Sequence, residues 1–376
     1  MQLDDITQAV LAREDVARYL RDASGEPDAK VRERVEAYLD ELRTTQRYSF
    51  YRALKHPLYP ILRKVERLHE NIQIVQAATA AGRVIYISNH KSHLDYLVEP
   101  LVLDDHDIRP PVIAAGINLF GGPLGLLHKH VTGAIPIRRN MKDPAYLVTL
   151  KAYVSELLRQ HDLLFYIEGG RSYTGELKPP KTGLLHATLQ AHVDSIVIVP
   201  TAVAYDLVLE DHILPHLAQK RRSKPFTRAL ADMVRYAVGY ESRAFVSFGP
   251  AIRFSDYDPH SRRDVLDLAH RIRDSIGRLH KVLPTAIVAA AMRPSIGRRQ
   301  LEDRAAAVIE VLRANGANLL ISQPARAVTE GTSLLAARNV IVIERGSRFR
   351  VRDRTVLRYY ARTIQHLIAS RKSATH

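Results

Sequence analysis

The apolar positions divide the chain into three stretches. Over residues 1–75 they recur every third or fourth residue. In "VRERVEAYLDELRTTQ", Val31, Val35, Leu39 and Leu42 share one face between charged positions, which predicts an amphipathic helix. The stretch "RYSFYRALKHPLYPILRKVERL", residues 47–68, interleaves aromatic with basic side chains, and Pro57 and Pro60 break or bend it. From about 76 to 260 the period shortens. "RVIYIS", "PVIAAG", "GAIPI", "DLLFYI", "SIVIVPTAV" and "AFVSFG" are short β-branched or aromatic runs bounded by polar or glycine-bearing turns. Runs apolar at every position predict strands covered on both faces, and helix-length segments between several of them predict an α/β domain. After 260 the helical period returns. "NVIVIE" and "RFRVRD" predict a small hairpin there before a last helix, "TVLRYYARTIQHLIAS". The expected organisation is a helical N-terminal region over 1–75, an α/β domain over 76–260 and a mostly helical C-terminal region over 261–376.

Composition narrows the classes. The chain has 376 residues, 46% hydrophobic and 25% charged, as an ordinary globular protein does. It has no cysteine, which excludes disulfides and thiolate chemistry and fits a reducing compartment. The acidic start "MQLDDITQAVLARED" has no apolar signal core, and no apolar run reaches the roughly 18 residues of a membrane-spanning helix. The net charge of +15 points to an anionic partner: nucleic acid, an anionic membrane or a phosphorylated substrate. A proteome rich in arginine and alanine gives the same balance. Residues 47–68 fit a segment lying on a membrane surface, and equally a helix with a solvated basic face.

The densest chemistry lies in "VIYISNHKSHLDYL", residues 84–97, where a buried strand ends in a polar cluster. Ser92-x-x-Asp95 fits a capping box at a helix start. His90 then falls in the turn before that helix, where its ring can swing towards Asp95. A carboxylate on one ring nitrogen fixes the tautomer and leaves the other nitrogen to take a proton. Metal binding by His90, His93 and Asp95 is a weaker second reading, because no further ligand cluster accompanies it. Strand ends of this kind are where ligands bind in α/β sheets. A second glycine-bearing strand end, Gly169-Gly170-Arg171, offers backbone N–H groups and a guanidinium to an anion. Arg138 and Arg139 close another strand, and adjacent residues there point to opposite sides.

His-x-x-x-x-Asp in "NHKSHLDYL" resembles the first block of the glycerolipid acyltransferases, most closely the membrane-associated bacterial glycerol-3-phosphate acyltransferases. Lys91 stands where those usually carry arginine. "IAAGINL" and "GAIPIRRN" resemble the second block, with Pro136 in place of an aromatic residue. "FYIEGGRSYTGELKPPKTGLL" resembles the third, with Tyr173 in place of an arginine, and "IVIVPTAVAYD" the fourth. The blocks span about 85 to 210 in the family's order.

The resemblance implies an α/β fold with a mixed sheet flanked by helices. It implies acyl transfer from acyl-CoA or acyl carrier protein to the sn-1 hydroxyl of glycerol 3-phosphate, without bound cofactor or metal, at the cytoplasmic side of a membrane. His90 would be the general base and Asp95 its orienting partner. Lys91, Ser92, Arg138, Arg139, Glu168, Gly169, Arg171 and Ser172 would bind glycerol 3-phosphate, with Arg139 preferred of the pair, and Pro200 would lie in the acyl-donor region. Glu168 would orient an arginine or a substrate hydroxyl, or pair with Arg171. The competing acceptors are dihydroxyacetone phosphate and a lysophospholipid. A nucleic-acid-binding role has only the basic C-terminal hairpin and the charge in its favour.

Two lookalikes fail. "GELKPPKT" has Pro180 where a phosphate-binding loop needs glycine, and "GRSYT" has Thr174 where a serine-esterase elbow needs glycine.

Overall fold

The computed structural model describes residues 3–22, 27–44, 65–117, 133–191, 195–213, 215 and 242–369. Three helices come first: α1 (Leu3–Leu11), α2 (Glu14–Asp22) and α3 (Asp28–Leu42). The four apolar positions that predict α3 are all buried along it. A run of alternating elements follows. It begins with β1 (Val65–Glu70), α4 (Ile72–Ala81), β2 (Arg83–Ser88), α5 (Asp95–Asp104), β3 (Val112–Gly116) and β4 (Ala134–Ile137). It continues through α6 (Pro144–Leu158), β5 (Leu163–Tyr166), α7 (Gly183–Leu189), β6 (Ile196–Tyr205), β7 (Ser242–Phe248) and β8 (Ile252–Arg253). Local chemistry marks the boundaries. Asp143 caps α6 by accepting the Ala145 N–H at 2.9 Å, with Pro144 in the first turn, where a missing N–H costs nothing.

The sheet runs β1-β7-β6-β2-β5-β3-β4, with β8 paired to β6. Strands β6, β2, β5, β3 and β4 are mutually parallel, whereas β7 lies antiparallel to β6 and β1 follows β7. This is a mixed sheet with helices on both faces. Strand β2 shows why its sequence is apolar throughout. Val84 and Tyr86 enter one core cluster, Ile85 and Ile87 the other. The second cluster holds side chains of α1, α2, α3 and α6.

The chain ends with α8 (Arg262–Leu279), α9 (Pro284–Ala291), β9 (Ser295–Gly297), α10 (Arg298–Ala314), α11 (Pro324–Ala337), β10 (Ile341–Glu344), β11 (Arg348–Val351), α12 (Arg354–Thr363) and α13 (Gln365–Ala369). Side chains from α9 to α13 share the first cluster with β2, β6 and β7, so the C-terminal helices complete one face of the sheet.

Some elements depart from the sequence pattern. Strand β1 falls inside the stretch expected to be helical. "VERLHE" buries only Val65 and gains its strand state from pairing with β7, which no local period reports. Helix α11 and strand β9 were not expected, and β9 extends the C-terminal hairpin into a three-stranded sheet. The last helix breaks at Ile364. Residues 47–64 and 219–228, both basic, lie outside the described residues.

Candidate active site

Strands β2 and β5 are parallel neighbours, and the chain leaves both at the same edge of the sheet. The turn after β2 carries His90. Its Nδ1 lies 2.8 Å from Asp95 Oδ2. That oxygen also accepts the N–H groups of Lys91 (2.6 Å) and Ser92 (3.0 Å), and Asp95 Oδ1 accepts the Tyr205 hydroxyl at 2.7 Å. Asp95 therefore acts as an acceptor throughout. It holds the hydrogen on Nδ1 and turns a lone pair of Nε2 outward. The His90 ring stacks on Tyr166, with centroids 4.0 Å apart and planes 10° from parallel. The Tyr166 hydroxyl bonds the Glu99 carboxyl at 3.1 Å, and Ser88 bonds it at 2.5 Å. Burial, and then the neighbouring Asp95 charge, push Glu99 well above the usual carboxylate range.

The capping box forms by half. Asp95 reaches back to the Ser92 N–H, but Ser92 Oγ accepts from Leu94 N–H at 3.1 Å and donates to Glu210 at 2.7 Å. The metal reading of His90, His93 and Asp95 loses its carboxylate, whose two oxygens are filled by four protein donors.

A cavity of about 640 Å³ opens beside His90. One part of its lining is apolar: Ile113, Ile137, Met141, Leu147, Leu150 and Leu184. Another part is cationic: Arg139, Lys178 and Lys181. These cations gather around Gly169 and Gly170. A methyl group at Gly170 would stand 3.2 Å from an Arg139 guanidinium nitrogen, and one at Gly169 would stand 3.0 Å from Lys181 Cγ. Gly169 also has φ +65°, which disfavours any side chain there. Lys178 Nζ donates to the carbonyls of Gly170 (2.6 Å) and Arg171 (2.9 Å), and its burial lowers its basicity against the opposing pull of Glu168. Among the described residues no carboxylate is paired with Arg139 or Lys181.

The expected site residues scatter around this cavity. His90, Arg138, Arg139, Glu168 and Gly169 line it. Arg138, however, commits its guanidinium to Glu41 at 2.7 and 2.5 Å. Among the described residues Glu168 pairs with no arginine. Its oxygens accept the N–H of His90 (3.2 Å) and of Lys178 (3.1 Å), so it ties the two loops together. Lys91 points the other way, into the interior. Its ammonium donates to the Gly175 carbonyl at 2.8 Å, and burial lowers its pKa. Ser92 and Ser172 are fully buried, and Ser172 serves the turn by donating to the Glu176 carbonyl. Arg171 faces Glu210 at 3.5 Å and is not part of the cavity lining. Pro200 sits mid-strand. Its carbonyl accepts Gly249 N–H at 2.8 Å, so its nitrogen faces the gap between β7 and β8, where no donor is needed. It does not line the cavity either.

Lys178, Lys181 and Glu210 are not among the site residues the sequence points to. The two lysines belong to "GELKPPKT", whose Pro180 breaks the phosphate-loop pattern, and their spacing of three around Pro179 and Pro180 is the available signal.

Residues 66–204 match the family model described as Acyltransferase. That match contains both His90 and Asp95 and runs from β1 to the penultimate residue of β6. Over this stretch the chain is similar to the acyltransferases. Similar proteins include the glycerol-3-phosphate acyltransferase of Aeromonas hydrophila, 32% identical over 238 residues, which are 61% of this chain and 29% of that protein. The corresponding protein of Actinobacillus succinogenes is 34% identical over 241 residues, 61% of this chain and 29% of that one. That of Haemophilus influenzae is 33% identical over 261 residues, 66% and 32%. The chain spans about 30% of the length of the curated relatives it matches. Among solved structures, the 1-acyl-sn-glycerophosphate acyltransferase PlsC from Thermotoga maritima matches with a TM-score of 0.34 and 12% identity, covering 73% of this chain and 86% of that one. No described helix is long and apolar enough to cross a membrane.

Proposed function

We propose that this chain moves an acyl group from a thioester, acyl-CoA or acyl carrier protein, to the sn-1 hydroxyl of glycerol 3-phosphate, forming lysophosphatidic acid. The observation that carries the reading is the shared cavity. A histidine with a fixed tautomer, a cationic cluster and an apolar wall all line it. Arg139, Lys178 and Lys181 suit the acceptor phosphate, and the apolar wall suits the acyl chain.

His90 Nε2 takes the proton of the acceptor hydroxyl as its oxygen attacks the thioester carbonyl. The tetrahedral oxyanion then expels the thiolate, which takes the proton back from the imidazolium. Asp95 stabilises that imidazolium without being protonated itself. General base catalysis accounts for about 10²- to 10⁴-fold, and holding both substrates in line supplies much of the rest.

Peripheral attachment at the cytoplasmic side of a membrane follows from the product, whose acyl chain belongs in a bilayer. Three basic stretches are suited to docking: 47–67, the first choice because it combines charge with several large apolar side chains, 219–228, and 345–354, which alone is described throughout. It is the β10–β11 turn and β11, with Arg345, Arg348, Arg350, Arg352 and Arg354 exposed and Ile343 54% exposed beside them. Each arginine near an anionic surface contributes about 1 kcal/mol.

The test is a radiolabelled acyl-transfer assay with one acyl-CoA and three acceptors in parallel, with flotation on anionic vesicles as its second arm. Glycerol 3-phosphate should be the acceptor turned over fastest, and low-salt flotation should be positive. Faster turnover of dihydroxyacetone phosphate or of a lysophospholipid reassigns the acceptor. DNA retention without acyl transfer would favour a nucleic-acid reading. Failure to float removes the membrane claim alone.

A further inference from the structure

We infer that Glu210, in the turn after β6, is a positioning residue for the His90 turn; this rests on the acyl-transfer reading above. Glu210 is 4% exposed and does not line the cavity, so substrate does not touch it. Its Oε2 accepts the Ser92 hydroxyl at 2.7 Å, and its Oε1 accepts the His93 N–H at 2.9 Å. Both donors lie between His90 and Asp95 in the chain, in the turn that sets where the imidazole stands. The same carboxylate faces Arg171 at 3.5 Å, and so fixes the third-block loop beside the first.

The turn that carries Glu210 is itself braced from outside. Tyr205, at the end of β6, donates to Asp95. Asp211 accepts the Tyr360 hydroxyl of α12 at 2.6 Å, and that hydroxyl accepts Val208 N–H at 3.0 Å. Arg338, the residue that follows α11, lies 3.8 Å from Asp211. Residues 205–211 therefore connect the C-terminal helices to the catalytic turn, and Glu210 makes the two contacts that end on it. Without that carboxylate, a buried hydroxyl and a buried N–H lose their acceptor, and the turn must rearrange to recover one.

A displaced base loses turnover before it loses substrate, because phosphate is gripped on the other loop. The experiment measures kcat, acceptor KM and Tm for the full chain and for Glu210→Gln, Glu210→Asp, Tyr360→Phe, Ser92→Ala and the double variant Glu210→Gln/Ser92→Ala, with His90→Ala as reference. Glu210→Gln should lower kcat tenfold or more and leave acceptor KM within about twofold, since a shift of about 1 Å in a reacting group costs roughly a hundredfold. Glu210→Asp should recover part of the kcat. Ser92→Ala added to Glu210→Gln should cost little more, because the two act through one bond. Tyr360→Phe removes one hydroxyl and keeps the ring, so it tests the brace even where Glu210→Gln fails to fold; it should show the same split at about threefold. An unchanged kcat in Glu210→Gln, a loss confined to acceptor KM, or a lower Tm with normal kinetics overturns the inference. Wild-type turnover in His90→Ala overturns the acyl-transfer reading, and the inference with it.

Discussion

Two loops leave the same edge of the sheet and are built on opposite rules. In the loop after β2, the polar side chains are taken up by the protein: Asp95 accepts four bonds, Ser92 bonds Glu210, and Lys91 bonds the Gly175 carbonyl. The outward lone pair of His90 is what that loop offers to a substrate. In the loop after β5, Lys178 spends bonds on the Gly170 and Arg171 carbonyls yet still lines the cavity, and Lys181 stands there with Arg139 of the neighbouring strand end, with glycines clearing the space between them. The first loop holds one nitrogen still, and the second presents cations to the cavity, as the proposed phosphate binding requires. Glu168 bonds the backbone of both and keeps them in register. The difference teaches that the charge of a residue in a site says less than whether the protein has already neutralised it. Arg138 and Arg139 make the same point side by side, one spent on Glu41 and the other directed at Gly170.

The sharpest way to break this comparison is to remove the held nitrogen. His90→Ala should cut turnover by roughly 10²–10⁴-fold with the fold intact, since the residue sits in a turn. Asp95→Asn keeps the shape but offers an NH₂ group where Nδ1–H needs an acceptor, and it should lose a similar factor. A normal circular dichroism spectrum with near-normal turnover in either variant would sink the dyad. If Asp95→Asn lowers only the melting temperature, its role is to begin α5 and nothing more.

Next in size is the anion-receiving loop. Arg139→Ala should raise the acceptor KM by about ten- to hundredfold, the worth of one charge-assisted bond, while the acyl-donor KM stays put. Arg138→Ala should change acceptor KM by less than about threefold, because its guanidinium already belongs to Glu41. Steady-state kinetics with each substrate varied in turn checks both. Equal effects at the two arginines would erase the contrast drawn above.

How much of this was legible beforehand follows from range. The strands of the core, the His90–Asp95 spacing and Gly169 are local signals, carried by periods of two or by a motif six residues long. β1 is not local: its strand state depends on β7, far along the chain. The fates of Lys91 and Arg171 were hidden for the same reason. Whether a cation faces a cavity or a buried acceptor depends on Gly175 and Glu210, which sequence spacing does not place. The two backbone N–H groups that Glu168 accepts are likewise invisible in sequence, where only its charge suggests a partner, an arginine or a substrate hydroxyl.

The smallest effect extends the comparison to histidines. His90 is placed against a carboxylate, whereas His366 is buried against the Gly277 carbonyl, and burial above all takes its pKa from 6.5 down to about 4. The unfolded chain therefore binds more protons than the fold between those values. Stability from this group is complete above about pH 6.5 and is lost as pH falls towards 4. The loss is roughly 3 kcal/mol at most. Buried His280 acts in the same direction, through burial and then the Lys91 charge. Melting curves from pH 7 to 4 should slope downward, and His366→Gln should flatten part of that slope. A slope that is unaltered in the variant would assign the acid sensitivity elsewhere.

The pairing of β1 with β7 has a consequence for how the protein is made. Val65 lies opposite Ser242, so the sheet cannot acquire its outer strands until the ribosome has passed residue 248. Until then β6 is a bare edge, ten residues long and almost wholly apolar, with the loops after β2 and β5 already emerged beside it. Exposed edges of this kind recruit other chains. Closing so long a loop is also slow. A nascent chain stalled in the segment between β6 and β7 would therefore be a strong client for chaperones, and slow translation through that segment would favour aggregation over activity.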